Sequence, residues 1–153
     1  VVAQFTEKEI KDIGSVRLAQ DILSAELASY YGSAADFEQL EFLADVCEKA
    51  ASQGDIYKRI RADGDFHLKI AEISGNASLY QHQYSIYQQI HLIQISQYTN
   101  IEDSLMQINH HVPIIHAIRS GSMDKLRRLI CLHIQDFFHL DAYLLKCYAK
   151  DMQ

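Results

Sequence analysis

The sequence predicts an all-α protein, a bundle of about six to seven helices, and three observations lead to this prediction. Apolar side chains recur at intervals of three and four residues, the period of amphipathic helices. Between these segments there is no alternation of apolar and polar residues of the kind that marks a half-buried strand. The 153 residues include only one proline and six glycines, too few for a turn-rich β fold, and this length fits one domain over residues 1–153.

Capping residues and glycines bound the first two predicted helices. Thr6 and Glu9 have the spacing of a capping box, and the helical pattern that follows them continues to Gly32. Ser33 is suited to cap a second helix, which Gly54 ends. We therefore predict helices over about residues 6–32 and 33–54.

Four further helices follow. The third spans about residues 55–74, and Gly75 and Asn76 then supply a stop and a new N-cap for a fourth that reaches about residue 98. The pattern breaks at residues 99–100. A fifth helix spans about residues 103–121 and a sixth about residues 122–149. Pro113 lies well inside the fifth, so we expect that helix to be kinked or split in two.

The charge of the chain indicates what it can bind, and its cysteines indicate the cellular compartment in which it is found. Twenty acidic and fourteen basic residues give a net charge of −6, so this chain alone should not bind nucleic acid. Cys47, Cys131 and Cys147 lack CxxC spacing and indicate buried thiols in a reducing compartment, with the cytoplasm as the default. No apolar run approaches the roughly 20 residues of a membrane-spanning helix. Because the chain starts at Val1 and not at an initiating Met, we expect it to have been cut from a longer protein.

Three of the eight histidines face the interior of the predicted bundle. His111 and His133 each interrupt a stripe of apolar residues at helical spacing. His67 lies on a third stripe, and Asp63 precedes it by one turn on the same face. His139 lies among polar residues, and we expect it to be solvated.

A carboxylate on an inward helix face needs hydrogen bonds, a cation or a metal. One carboxylate and three imidazoles that converge from three helices would suit a divalent transition metal, either Zn, Ni, Mn or Fe. The spacing leaves a second interpretation open. The same side chains would also be explained by a hydrogen-bond network in the core, or by three separate buried histidines.

Several motifs, taken in their order along the chain, resemble a known domain. They are Arg17 and Asp21 in the first helix, Asp63-Gly64-Asp65-Phe66-His67, Ser74-Gly75-Asn76, the stretch from His111 through Ala117-Ile118, and His133-Ile134. Over essentially the whole chain they resemble the FCD domain, the C-terminal effector-binding domain of FadR-subfamily GntR-type bacterial transcription regulators. The resemblance implies an antiparallel helical bundle whose metal ligands are Asp63, His67, His111 and His133.

The resemblance also implies a regulatory function. The chain would bind a divalent metal, with Zn favoured, and a small carboxylate effector, and it would form a homodimer in the cytoplasm. DNA would be bound only by a winged helix-turn-helix domain that precedes this chain in the parent protein.

Side chains beside the metal are candidates for holding the effector. Arg17 is suited to a bidentate pair with the far end of an organic acid, but it can equally pair with Asp21 four residues later. Tyr84, Tyr87 and His91 share one face of the fourth helix and would line the cavity, although such a stripe also occurs in ordinary packing.

Two features depart from the pattern of the family. His110 stands where an acidic residue usually precedes the third ligand, and because Pro113 is close by, His110 is an alternative ligand to His111. The fourth helix has Gln88 and Gln89 in place of the arginines often found there. We therefore expect a less highly charged effector.

A metal-dependent hydrolase is the alternative function, because an open coordination position can activate water. The sequence contains no HExxH motif, no adjacent His-Asp pair and no phosphate-binding glycine loop. We therefore expect a binding domain and no enzyme.

Overall fold

Seven helices make up the part of the chain that the computed structural model describes, which is residues 5–97, 111–135, 138 and 140–149. No strand occurs in these ranges, which confirms the all-α class. The helices are α1 Glu7–Tyr31, α2 Ala34–Ser52, α3 Ile56–Ile73, α4 Ala77–Gln97, α5 His111–Ser120, α6 Met123–Gln135 and α7 Ala142–Tyr148.

The first four helices begin where their capping residues predict. Thr6 and Ser33 each form a capping box, with Glu9 and Asp36 as the reciprocal partners. The Asp55 side chain accepts a hydrogen bond from a backbone N–H at the start of α3. At the start of α4, the side chain of Asn76 accepts from the backbone N–H of Leu79 at 3.0 Å.

Helix α1 packs against α3, α4, α5 and α6, whereas α2 packs mainly on α3. The core between these helices is aliphatic and aromatic, and it includes Leu18, Phe66, Ile90, Ile115 and Ile134. Buried polar side chains interrupt this core where α1, α3 and α4 meet the ends of α5 and α6. That interruption is the candidate functional region of the domain.

The single helix predicted over residues 122–149 is wrong. Helix α6 ends at Gln135 and α7 begins at Ala142, with Phe138 and Leu140 buried between them. The Asp141 side chain caps α7 by accepting a hydrogen bond from the backbone N–H of Tyr143 at 2.8 Å. The apolar spacing continues across this break, so periodicity alone joins the two helices. His139 lies outside the described residues.

The predicted start of the fifth helix and the break at residues 99–100 also lie outside the described residues, as does His110. Pro113 lies two residues after His111, where the described part of α5 begins. The kink at Pro113 stays a prediction, because it concerns residues before α5.

Two of the three cysteines are buried, as expected, and the prediction for the third is wrong. Burial raises the pKa of the Cys47 thiol to about 12, and it also raises that of Cys131. Cys147 is exposed, because α7 lies on the surface and buries none of its residues.

Among the described helices, none combines the length and the apolar content that crossing a membrane would require.

Gly14 allows α1 to approach Phe138. A Cβ atom added at Gly14 would lie 2.9 Å from the Cβ of Phe138, closer than unbonded carbons approach. We predict that Gly14→Ala lowers the free energy of unfolding by about 1–3 kcal/mol, because overpacking outweighs the gain of about 1 kcal/mol in helix propensity. Chemical denaturation measures the change.

The matched control for this prediction is the same substitution in a Phe138→Gly background, where both the Cβ and the ring atoms that crowd Gly14 are absent and Gly14→Ala should not destabilise. A Gly14→Ala variant as stable as the parent protein would contradict the steric role assigned to this glycine.

Candidate metal centre

Four buried side chains from three helices converge at one point in the core. Asp63 and His67 lie one turn apart on α3, His111 is the first residue of α5, and His133 lies in the last turn of α6. Their exposed fractions are 1%, 3%, 1% and 2%, respectively. These are the four side chains that the sequence predicts as metal ligands.

The Nε2 atoms of all three imidazoles face the same carboxylate oxygen. Oδ1 of Asp63 lies 2.8 Å from Nε2 of His111 and 3.4 Å from Nε2 of both His67 and His133. The Nε2 atoms of His67 and His133 are 3.0 Å apart. One ligand atom from each residue lies within 4.8 Å of all the others. Of the two candidates for the third ligand, His111 therefore lies in the cluster.

The donor set fits a divalent transition metal. Bonds of about 2.1 Å to a central ion separate neighbouring ligand atoms by about 3.0 Å in octahedral and about 3.4 Å in tetrahedral geometry. The four separations given above, 2.8 to 3.4 Å, are close to these values. Three nitrogens and one oxygen are also the ligand types that such metals prefer.

The protonation states also favour metal binding. Burial by itself would raise the pKa of Asp63, but His67 and the hydrogen bonds from the imidazoles hold that pKa well below its ordinary value. Burial lowers the pKa of His111, and it lowers that of His133 still further, although Asp63 opposes both shifts. At neutral pH the site therefore holds a carboxylate and neutral imidazoles of His111 and His133, the forms that bind metals.

A second carboxylate, Asp21 on α1, lies behind the cluster. Its Oδ2 is 4.0 Å from Nδ1 of His67, the ring nitrogen that does not face Asp63. Asp21 accepts hydrogen bonds from the Tyr87 hydroxyl at 2.9 and 3.0 Å and from the Gln83 amide at 2.7 Å. A carboxylate at this place favours a proton on Nδ1 and leaves Nε2 free to bind a metal.

The other oxygen of Asp63 is also held. Its Oδ2 accepts a hydrogen bond of 3.4 Å from Nε2 of Gln94 and lies 4.0 Å from Nη2 of Arg17. These contacts come from α4 and α1. They orient Asp63 so that Oδ1 faces the imidazoles.

Of the two roles that the sequence allows for Arg17, the structure shows the ion pair with Asp21, one turn later on the same helix. Its Nε donates to Oδ2 of Asp21 and to the Tyr87 hydroxyl, both at 3.2 Å. Within the described part of the chain, its Nη2 is buried without a hydrogen-bond partner. Burial by itself would lower the pKa of the guanidinium, but Tyr87, Asp21 and Asp63 raise it, so Arg17 is charged.

The three predicted effector residues of α4 line one cleft between α3 and α4. The cleft has a volume of about 280 Å³, and its walls include Tyr84, Tyr87 and His91. Tyr87 is buried, with its ring stacked on the His67 ring at a centroid distance of 5.6 Å, whereas Tyr84 is 51% exposed. Arg17 does not line this cleft.

Sequence reasoning missed the two glutamines that contact the carboxylates. Gln83 and Gln94 are 0% and 2% exposed and occupy the inward face of α4 together with Tyr87 and Ile90. Their spacing within an apolar stripe is the same signal that identified the histidines.

Comparisons with known proteins agree with the helical fold and with the family resemblance. The family model of the FCD domain matches residues 12–136. No curated protein matches the chain. The structure of E. coli McbR/YncC superposes with a TM-score of 0.80 at 16% identity, over 95% of this chain and 72% of that one. Streptococcus agalactiae GntR gives a TM-score of 0.75 at 27% identity, over 90% of this chain and 62% of that one.

The E. coli protein, at its low identity, supports the fold alone. The family match extends over most of the chain and includes all four residues of the cluster. It excludes the hydrolase alternative, because FCD domains regulate transcription and are not enzymes. This chain belongs to the FCD domain family, the effector-binding regulatory domains of GntR-type transcription regulators.

Proposed function

We propose that this domain senses a small organic acid through a divalent transition metal and thereby controls DNA binding by another domain of the same protein. One observation carries the proposal: three imidazole nitrogens and one carboxylate oxygen converge from four buried side chains at one point in the core. Buried polar groups are costly unless they are partnered. A metal would use all four ligand atoms at once.

Zn is the metal that we favour, and Ni, Mn and Fe suit the same donor set. Asp63, His67, His111 and His133 would hold it. The bound metal would supply an electrophilic anchor for the carboxylate of the effector: Ni, Mn or Fe, which take six ligands, would keep two coordination positions open, and Zn would accept the carboxylate by expanding its coordination beyond four. Asp21 and Gln94 would keep His67 and Asp63 in the orientations that the metal requires.

Arg17 supports the second half of the proposal. Its Nη2 is buried beside Asp63 and carries hydrogen-bonding capacity that no described residue uses. A charged donor in this state favours an anion. Tyr84, Tyr87 and His91 would contact the remainder of the acid in the adjoining cleft.

The regulator as a whole would belong to the FadR subfamily and act in the cytoplasm as a homodimer. A dimer suits the two-fold symmetry of a palindromic operator. The net charge of −6 on this chain disfavours contact with DNA phosphates, so we assign DNA binding to an N-terminal winged helix-turn-helix domain.

We predict that replacing any one of Asp63, His67, His111 or His133 by Ala lowers Zn affinity at least about tenfold and reduces the rise in Tm that Zn produces. Metal analysis of the purified protein and thermal melts with added Zn measure the two effects.

The matched control is His116→Ala. His116 is exposed on α5, five residues after His111, and its replacement should leave metal content and Tm unchanged. Full metal content in the His111→Ala variant would contradict the proposed ligand set.

We predict that the effect of Zn on stability decreases below about pH 6, because protons compete with the metal for the imidazoles. The metal-free protein should also lose stability on acidification. Imidazoles of the unfolded chain titrate near 6.5, whereas burial lowers the pKa of His111 and His133 in the folded protein, so below 6.5 the unfolded chain takes up protons first. Melts with and without Zn at about pH 7.5 and about pH 5.5 test both statements. An equal effect of Zn at the two pH values would contradict the imidazole ligands.

We predict that Arg17→Lys weakens binding of a small dicarboxylate such as succinate about tenfold and leaves the metal in place. Lysine keeps a positive charge near Asp21 but lacks the second nitrogen that is free to bind the acid. Calorimetric titration of the Zn-loaded protein with succinate gives the affinity, and metal analysis supplies the control. Loss of the metal together with the acid would show that Arg17 serves the metal centre alone.

A further inference from the structure

The cleft between α3 and α4 carries two opposite charges that the metal site does not use. Arg61 and Asp65 lie one turn apart on α3, and both line the cleft. Opposite charges at this spacing on a helix commonly pair with each other. Both side chains are exposed, and within the described part of the chain neither forms an ion pair or hydrogen bond with another residue.

Gly64 leaves space between these two charges. A glycine inside a helix costs about 1 kcal/mol relative to alanine. At Gly14 the close approach of Phe138 explains the glycine, but a Cβ at Gly64 would meet only Cδ1 of Tyr87, at an ordinary distance of 4.0 Å. The packing of the described residues therefore does not require a glycine at this position. A ligand bound in the cleft would explain the glycine, because the ligand would occupy the space that a Cβ at this position takes up.

The opposite wall is polar and aromatic. Tyr84, Tyr87 and His91 of α4 face the same space, and Tyr84 exposes half of its side chain there. Aromatic faces attract ammonium groups, and hydroxyl groups bind either sign of charge. The cleft thus offers a cation, an anion and aromatic rings within about 280 Å³.

We propose that this cleft binds an amino acid group, in which one carbon carries a carboxylate and an ammonium, and that the effector is therefore an amino acid. Arg61 binds the carboxylate, and Asp65 together with the tyrosine rings binds the ammonium. A dicarboxylate without an ammonium would bring its second carboxylate against Asp65, and an amine without a carboxylate would face Arg61. The inference deepens the proposed function and rests on it for the identification of this region as the effector site.

The cleft adjoins the metal centre through two shared side chains. Tyr87 and Gln94 line the cleft, while the Tyr87 ring stacks on His67 and the Gln94 amide donates to Asp63. A ligand in the cleft would thus contact the residues that orient two of the four metal ligands.

The test compares acids that differ only by an ammonium group. The Zn-loaded protein is titrated in a calorimeter with three pairs: aspartate and succinate, glutamate and glutarate, alanine and propionate. We expect at least one amino acid to bind about tenfold more tightly than its partner without nitrogen. Equal or tighter binding of all the simple acids, or no binding of any amino acid at millimolar concentration, would overturn the inference.

Three variants locate the effect. Asp65→Asn should abolish the preference for the amino acid, and Arg61→Gln should weaken its binding about tenfold. Gly64→Ala should leave the Tm unchanged or raise it while weakening the binding. Glu72→Gln is the control, because Glu72 is exposed on the same helix and does not line this cleft. A preference that survives Asp65→Asn would also overturn the inference.

The same measurements separate this inference from the proposed function. If succinate or glutarate binds only with Zn present and without any preference for the amino acids, the proposed function stands and this inference fails. If the protein binds no Zn but retains an amino acid preference that Asp65→Asn abolishes, the cleft is assigned correctly and the proposed metal sensing fails.

Discussion

The buried carboxylate of Asp63 is the constraint on which the rest of the structure depends. A carboxylate that is 1% exposed is costly unless both of its oxygens find partners. Oδ1 faces three imidazoles from α3, α5 and α6, and Oδ2 faces Gln94 of α4 and Arg17 of α1. Five helices must keep fixed relative positions for these contacts to exist together. Apolar packing alone tolerates small sliding motions of helices, whereas this cluster does not.

Tyr87 connects the metal centre to the cleft. Its hydroxyl donates to Asp21, its ring stacks on His67, and another part of the ring faces the cleft. Burial and the neighbouring carboxylates raise the pKa of Tyr87 well above its ordinary value, so its hydroxyl stays protonated and can donate. A displacement of the Tyr87 side chain would therefore affect both the metal centre and the cleft. Coupling of this kind acts equally in both directions, so a ligand that favours the metal-bound arrangement is itself favoured by the metal.

The sequence was sufficient to predict the helices up to residue 97 and the four residues of the cluster, because one signal, the helical period, determines both. The same signal gives a wrong helix boundary near the end of the chain, where apolar spacing continues across Phe138 although Asp141 caps a new helix. It also left Gln83 and Gln94 unassigned. An inward-facing glutamine acquires a role only through its partner, and Asp21 and Asp63 lie on other helices at a distance that no sequence pattern records.

For two helical glycines, the local sequence does not predict why a side chain is absent. Gly14 and Gly64 each lie inside a continuous helix, where glycine is unfavourable because its backbone loses more conformational entropy than that of other residues. At Gly14 the side chain of Phe138 fills the space, so the glycine serves the packing of α1 against the chain that follows α6. At Gly64 no described side chain lies closer than 4.0 Å to the missing Cβ, and the space opens into the cleft. A helical glycine shows only that a side chain is absent; the neighbouring elements decide whether the protein or a ligand occupies the space.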